Sequence, residues 1–384
     1  MLQSNVVQIS ENIASEFSEV PAHCGGIMQI DLDAIKHNYE FIRSHLSESR
    51  CAAVVKADAY GLGAIQVSKA LESIGCKDFF VATPDEGFEL SSALNKDANI
   101  YILNGLYPGS EGYLTEHNLI PVLNSVSQIL TWQNHAKKVG RDLPAIIHID
   151  TGMWRAGLPM DEVDILHAQP ERLNHIDIIC YLSHLACSEQ PNHQKNRQQL
   201  NRLKEALDKL PTKPVSLSNS HGVLLGADYH FDLLRPGRIL YGLGSRTPLT
   251  QGIRPGVSLY AKLLQIRDVA KGEAIGYDST FVVEEDMKVA TIGIGYADGI
   301  MRTLTNNGLV YIQGQPAPIV GRVSMDLITI DVTSIDPTHL EVGSWAEVIG
   351  DHISADELAR MAGTNSREIT SNLGQRYHRI YKGA

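Results

Sequence analysis

The stretch Ala52-Ala53-Val54-Val55-Lys56-Ala57-Asp58-Ala59-Tyr60-Gly61-Leu62-Gly63 decides how the rest of the chain is read. Its first four residues form a short apolar run without alternation, the pattern of a parallel strand buried on both faces. The run ends on a lysine. Lys56 is therefore expected at the carboxyl end of a buried strand, where α/β sheets and barrels carry their chemistry. Beside Tyr60 and a glycine-containing turn, such a lysine either leaves the sheet for solvent or supplies an amine for Schiff-base chemistry.

Upstream, Leu32, Ile35, Tyr39, Ile42 and Leu46 recur at helical spacing. They predict one regular unit over residues 28–46, a helix that feeds the Lys56 strand. Downstream, short apolar runs alternate with helical patterns. Further strands are expected at residues 79–82, 100–103, 121–123, 145–149, 178–182, 215–217 and 232–234. Leu200, Leu203, Leu207 and Leu210 mark one crossover helix. The bare pattern supports an α/β fold, and eight strand–helix units suggest a (β/α)8 barrel. After Gly256 the texture changes. Val257, Leu259, Ala261 and Leu263 alternate with more polar residues, and residues 289–295, 327–332 and 345–349 read as further strands. Asn306-Asn307-Gly308 is a hairpin-like turn signal, and a short helix is expected near residues 355–361. The expected division is an N-terminal extension at 1–28, a barrel at 29–256 and a mainly β domain at 257–384.

A chain of 384 residues with 43% hydrophobic content buries a large core and by default splits into two domains. The net charge of -11 argues against nucleic acid and anionic membrane partners, while leaving room for a local phosphate pocket. Cys24, Cys51, Cys76, Cys180 and Cys187 lack metal-ligand spacing. They point to a reducing compartment, no disulfide framework and no metal site, with Cys51 and Cys180 as core residues. No apolar run reaches the length of a membrane span. Glu11, Glu16 and Glu19 interrupt any signal-peptide pattern, so a cytoplasmic protein is expected. The N-terminal tail is either disordered or packed on the second domain.

Four more polar residues come directly after expected strands: Arg155 beyond an Asp-Thr-Gly turn, His184, Ser220 and Arg235. With Lys56 they would converge on one barrel face, and convergence of polar groups marks a pocket. Each also has a plain structural reading; Arg235, for example, has Asp232 nearby as a pairing carboxylate.

The Lys56 stretch continues in DTGMWRAG (150–157), SHLA (183–186), SNS (218–220), LLRPGRILYG (233–242), IGYDST (275–280), IGIGYADG (292–299) and GRVSMD (321–326). In this order, over nearly the whole chain, these segments resemble the bacterial alanine racemases. That family joins a barrel to a β domain and uses pyridoxal 5'-phosphate (PLP). The resemblance implies that Lys56 carries PLP and is one of two bases. It implies that Tyr60, Ser220 and the backbone of Gly237 and Arg238 hold the phosphate. Arg235 would face the pyridine nitrogen. Because arginine holds its proton, that nitrogen would stay unprotonated and the cofactor would be a restrained electron sink. Tyr277 would be the second base, given by the other subunit of a homodimer with composite sites. His184 would contact that tyrosine and be held by Arg235. Tyr296 and Met325, with Asp326 beside it, would line the entrance and substrate site. Arg155 would hold the substrate carboxylate and a cofactor hydroxyl.

Two positions depart from the family. His148 stands where many relatives have a carbamylated lysine that positions the arginine. Near the C-terminus, the family's usual phosphate-contacting tyrosine is matched either by Gly374 or, offset by three residues, by Tyr377. The activity implied is two-base racemisation of L- and D-alanine, supplying D-alanine for peptidoglycan. Alternatives are a broader racemase of small amino acids, a PLP-dependent decarboxylase, and a non-catalytic PLP carrier. A decarboxylase would need a cysteine as proton donor, and a carrier would need only the barrel. Tyr277, Tyr296 and Ser-Met-Asp favour a racemase.

Overall fold

The computed structural model describes residue 17 and residues 19–46, 48–244 and 250–383. Seven parallel strands lie side by side in chain order: Ala53–Val54, Asp78–Val81, Asn99–Ile102, Leu119–Leu123, Leu143–His148, Ile176–Leu182 and Val215–Ser216. Leu233–Leu234 pairs in parallel with Arg50–Cys51, just ahead of Ala53. The Asp232 and Arg235 amides donate to the carbonyls of Val215 and Ser218 at 3.0 and 2.9 Å. The ring thus closes as the expected (β/α)8 barrel, and every expected run overlaps its strand. The interior is filled rather than hollow, with Ala52, Phe80, Tyr101, Val122, Ile146 and Cys180 packed together. Leu200 and Leu203 lie on the buried face of helix Gln194–Leu207. Ser125 caps Val126–Val139 by accepting the Gln128 amide.

Two compact units divide the chain. One is Ile35–Tyr241, which contains this barrel; the other is mainly Pro255–Ala384 together with the segment before Ile35. The second unit is built on an eight-stranded sheet. Its long strand, Val257–Val269, pairs antiparallel with Gly26–Asp31, Met287–Ile292 and Trp345–Ile349. Gly26–Asp31 also pairs in parallel with His378–Lys382.

Residues 28–31 therefore belong to a strand of the β unit, where the sequence reading begins a helix and the barrel. The helical unit starts later because the Asp31 carboxylate accepts the Ala34 amide at 2.7 Å, opening the helix Leu32–Ser44. Asn306-Asn307-Gly308 is not the hairpin turn. Its amides at Asn307 and Gly308 fold back on the Leu304 carbonyl. The hairpin joins Leu309–Ile312 to Gln315–Pro318 through Gln313 and Gly314, both left-handed at φ of 50° and 74° as a two-residue hairpin requires. The expected C-terminal helix is Ala355–Ala362, capped reciprocally by Ser354 and Glu357. The expected N-terminal extension lies outside the described residues up to residue 16; Phe17 is buried against the rings of Tyr260 and Trp345. Among the described residues no helix is long and apolar enough to cross a membrane.

Candidate active site

The backbone after Lys56 is unusual. Ala57, Asp58, Ala59 and Tyr60 all lie in the left-handed region, with φ between 53° and 59°. Left-handed helix costs roughly 1–2 kcal/mol for each non-glycine residue, so the surrounding structure must over-determine it. The bonds that do so include the Ala59 amide on the Val55 carbonyl (2.8 Å), the Gly63 amide on the Asp58 carbonyl (2.9 Å) and the Ala64 amide on Asp58 Oδ1 (2.7 Å). This turn sets Lys56 at the strand exit and carries Tyr60 back over the barrel, its ring 4.9 Å from that of Tyr241.

Opposite it lies the segment 218–241. The Gly237 amide donates to Ser220 Oγ at 2.9 Å. A Cβ placed on Gly237 would lie 2.5 Å from Tyr60 Oη and 3.3 Å from Val54 Cβ, so only glycine leaves that space. A tyrosine hydroxyl, a serine hydroxyl and a backbone amide thus share one small polar cradle. Asn219 braces it: its Oδ1 accepts from Ser188 Oγ and from the amides of His221 and Gly222, between 2.8 and 3.2 Å. The guanidinium of Arg238 points away, onto Glu189 at 2.5 Å.

Arg235 is buried at 4% exposure. It donates to the Ser183 carbonyl at 2.6 Å and to Ser216 Oγ, and lies 3.5 Å from His184 Nδ1. The Asp232 carboxylate instead accepts the Val215 amide at 2.7 Å, which disposes of the simple ion-pair reading. Burial lowers the Arg235 guanidinium to about 10, still charged near neutrality. Burial, then the cations of Arg235 and Arg155, with His148 and Lys56 also contributing, holds His184 well below the ordinary histidine range. Gln199 fixes the two neighbouring strand exits, donating to the His184 carbonyl (2.8 Å) and to Thr151 Oγ1 (3.2 Å). Beyond Thr151, the Asp150 carboxylate accepts the amides of Gly152, Met153 and Trp154 and shapes the turn that presents the exposed Arg155.

His148 sits one layer beneath. Asn124 spends its amide nitrogen on the carbonyls of Leu103 and Val122, so its Oδ1 faces His148 Nδ1 at 2.7 Å. That network assigns the proton to Nδ1 and the lone pair to Nε2. Burial first, then Arg235 and Arg155 against an opposing pull from Asp150, pushes His148 down to about 3.

The β unit carries a second group by itself. Tyr277 is 71% exposed, on a turn whose Asp278 pairs with Arg322 at 2.9 Å. Tyr296 and Met325, 44% and 52% exposed, lie on adjoining segments joined by the Tyr296 amide on Ser324 and the Ala297 amide on Met325. Arg376 grips Asp298 with two bonds (2.6 and 2.7 Å) and Asp326 with a third (2.7 Å), fixing the Met325 segment. Tyr377 is buried in this unit, its ring against Gly26, with no hydrogen-bond partner for its hydroxyl among the described residues.

The family profile described as the alanine racemase N-terminal domain matches residues 30–245, and the alanine racemase C-terminal domain matches residues 256–381. The chain belongs to the alanine racemase family. An alanine racemase of Rickettsia conorii is 44% identical over 356 residues, covering 93% of this chain and 99% of that one. One of Brucella canis is 43% identical over 371 residues, covering 93% of each. The solved alanine racemase of Bartonella henselae, which has covalently bound pyridoxal phosphate, superposes with a TM-score of 0.90 at 40% identity, covering 93% of this chain and 99% of that one.

In this family member the sequence reading passes over three side chains that shape the site. Asn124 and Gln199 lie in stretches with no local signal. Glu86 is different: Thr83-Pro84-Asp85-Glu86 has the form of a capping box. The box is present, and the same carboxylate also accepts the amide of Ala57, next to Lys56, at 2.7 Å.

Proposed function

We propose that this protein interconverts L- and D-alanine in the cytoplasm with pyridoxal 5'-phosphate held on Lys56, supplying D-alanine for peptidoglycan, and that it works as a homodimer with composite sites. The observation that carries the reading is the cradle of Tyr60 Oη, Ser220 Oγ and the Gly237 amide, kept open by a glycine. Neutral donors converging at strand exits suit a phosphate, and Lys56 begins the turn that delivers Tyr60 to them.

Pyridoxal phosphate, when bound, withdraws electrons from the substrate Cα and makes its hydrogen acidic. The protein's residues do the rest. Tyr60, Ser220 and the backbone amides of Gly237 and Arg238 would hold the phosphate end. Arg235, which holds its proton, would face the ring nitrogen, limit charge build-up there and disfavour side reactions. Lys56 would move the proton on one face of Cα, and the partner subunit's copy of Tyr277 would move it on the other. His184, kept neutral with its Nδ1 lone pair toward Arg235, would donate through its Nε2–H and steady that phenolate. Arg155 clamps the substrate carboxylate with two parallel bonds. His148 offers it an uncharged acceptor through Nε2. Tyr296 and Met325 bound the substrate side.

Borohydride reduction of the loaded protein followed by peptide mass analysis is expected to place the adduct on Lys56. Chiral analysis with L-alanine should show D-alanine appearing without loss of carbon dioxide. An adduct on another lysine, or decarboxylation, would remove this reading.

A further inference from the structure

We propose that Glu86 is a positioning residue for Lys56, acting through the left-handed turn directly after it; this rests on the assignment of Lys56 above. Glu86 lies in the first turn of helix Pro84–Ser91, at the exit of the strand Asp78–Val81 next to the Lys56 strand. Its two oxygens face different ways. Oε2 accepts the amides of Ala82 (2.7 Å) and Thr83 (3.4 Å), which is the ordinary work of a capping box. Oε1 accepts the amide of Ala57 at 2.7 Å. Ala57 is the first of the four left-handed residues, and its amide is the peptide bond to Lys56. One carboxylate therefore ties together the exits of two adjacent barrel strands.

The bonds within the turn fix its shape. The Glu86 bond fixes where its first peptide lies against the barrel, and so the direction in which Lys56 leaves the backbone. A carboxylate suits this task because it accepts on both oxygens. Glutamine matches its volume but has one acceptor, so it opposes an N–H2 group either to the Ala57 amide or to those of Ala82 and Thr83.

The test separates positioning from helix capping. Glu86→Gln and Glu86→Ala are compared with Thr83→Ala, which removes the reciprocal half of the cap, the Glu86 amide on Thr83 Oγ1, while leaving the bond to Ala57. Amide exchange over residues 57–60, release of pyridoxal phosphate, and kcat and KM for alanine are measured on the full-length protein. For both Glu86 variants, exchange over residues 57–60 should rise about tenfold or more. Cofactor release should quicken, and kcat should fall, by about the same factor with KM nearly unchanged, since a small misplacement at a reacting group costs that much. Thr83→Ala should leave all of these within about twofold, whatever it does to the melting temperature. If Thr83→Ala and the Glu86 variants behave alike, or Glu86→Gln matches wild type, Glu86 is a cap and nothing more. Should Glu86→Ala fail to fold, the isosteric glutamine variant decides. If wild type traps no adduct on Lys56, the functional assignment falls, while the exchange measurement still judges the Glu86 clamp without cofactor.

Discussion

The barrel and the β unit hold their polar groups in opposite ways. In the barrel, Arg235 is 4% exposed and His148 is 8% exposed, and each is bonded to named neighbours. In the β unit, Tyr277, Tyr296 and Met325 stand out at 71%, 44% and 52% exposure. The barrel has spent folding energy to desolvate its groups and fix their protonation states, which burial makes possible. The β unit has fixed only the backbone under its side chains, through the Arg322–Asp278 and Arg376–Asp298–Asp326 pairs. Tyr277 stands 71% exposed, so the base proposed above still lacks a surface that covers it, and the proposed composite site would supply one.

Replacing Tyr277 by Phe tests this contrast with the largest expected effect. Removing an exposed hydroxyl should leave the melting temperature unchanged. Racemisation should drop about 10²–10⁴-fold in both directions, because either direction needs both proton transfers. Exchange of the Cα hydrogen with heavy water separates the two faces: D-alanine should keep exchanging through Lys56, and L-alanine should lose most of it. Equal loss for both isomers, with substrate still bound, would make Tyr277 a positioning group. Mixing Lys56→Ala with Tyr277→Phe subunits should restore activity, since each heterodimer would keep one intact composite site. No recovery after proven subunit exchange would count against sharing.

The barrel was legible because a fully buried parallel strand reads as an unbroken apolar run, and Ala52–Val55 is such a run ending on the residue that matters. The turn just beyond Lys56 was not legible. Nothing in Ala57-Asp58-Ala59-Tyr60 favours positive φ; the conformation is imposed by bonds to Val55, Gly63, Ala64 and Glu86 that only the folded chain brings together. The strand Gly26–Asp31 was missed for a related reason, its last four residues being taken into the helical unit at 28–46. Its partners, Val257–Val269 and His378–Lys382, lie hundreds of residues away, and local periodicity is blind to them. Ser220 and Arg235 were legible from their strand-exit positions, whereas the phosphate roles of Tyr60 and Gly237 came only from the family resemblance. The state of His148 was not, because it depends on how Asn124 spends its amide nitrogen.

His148 sharpens the barrel side of the comparison through pH. Its folded value lies near 3, against about 6.5 for a free histidine. As pH falls through 6.5 the unfolded chain takes up a proton that the folded chain refuses, so this residue's contribution shifts toward unfolding all the way down to about pH 3. The slope is about 1.4 kcal/mol per pH unit for one proton. His148→Gln, which can still donate to Asn124 Oδ1, should remove that slope. Urea midpoints for the two proteins should therefore converge as the solution is acidified from pH 7 to pH 4. Parallel pH profiles would mean that His148 takes up its proton in the fold at the same pH as in the unfolded chain, so that burial does not hold it neutral in acid.

The smallest effect is expected from the same chemical change as the largest. Tyr377 is the alternative match for the family's phosphate-contacting tyrosine, yet it is buried in the β unit against Gly26. Burial, reinforced by the charge of Asp298 against a weaker opposing pull from Arg376, raises its phenol above the usual tyrosine range. Its hydroxyl meets no partner among the described residues. A buried donor without an acceptor costs stability, so Tyr377→Phe should be neutral or stabilising by up to about 1 kcal/mol. Cofactor affinity and racemisation should stay within about twofold of wild type. One hydroxyl, at Tyr277, would then carry a catalytic step, and the other would carry nothing, with Gly374 left as the position where this chain gave up a phosphate contact. If Tyr377→Phe instead weakened pyridoxal phosphate binding tenfold, the ring would have to leave its packing beside Gly26 when the cofactor binds. The β unit would then be a moving part of the site.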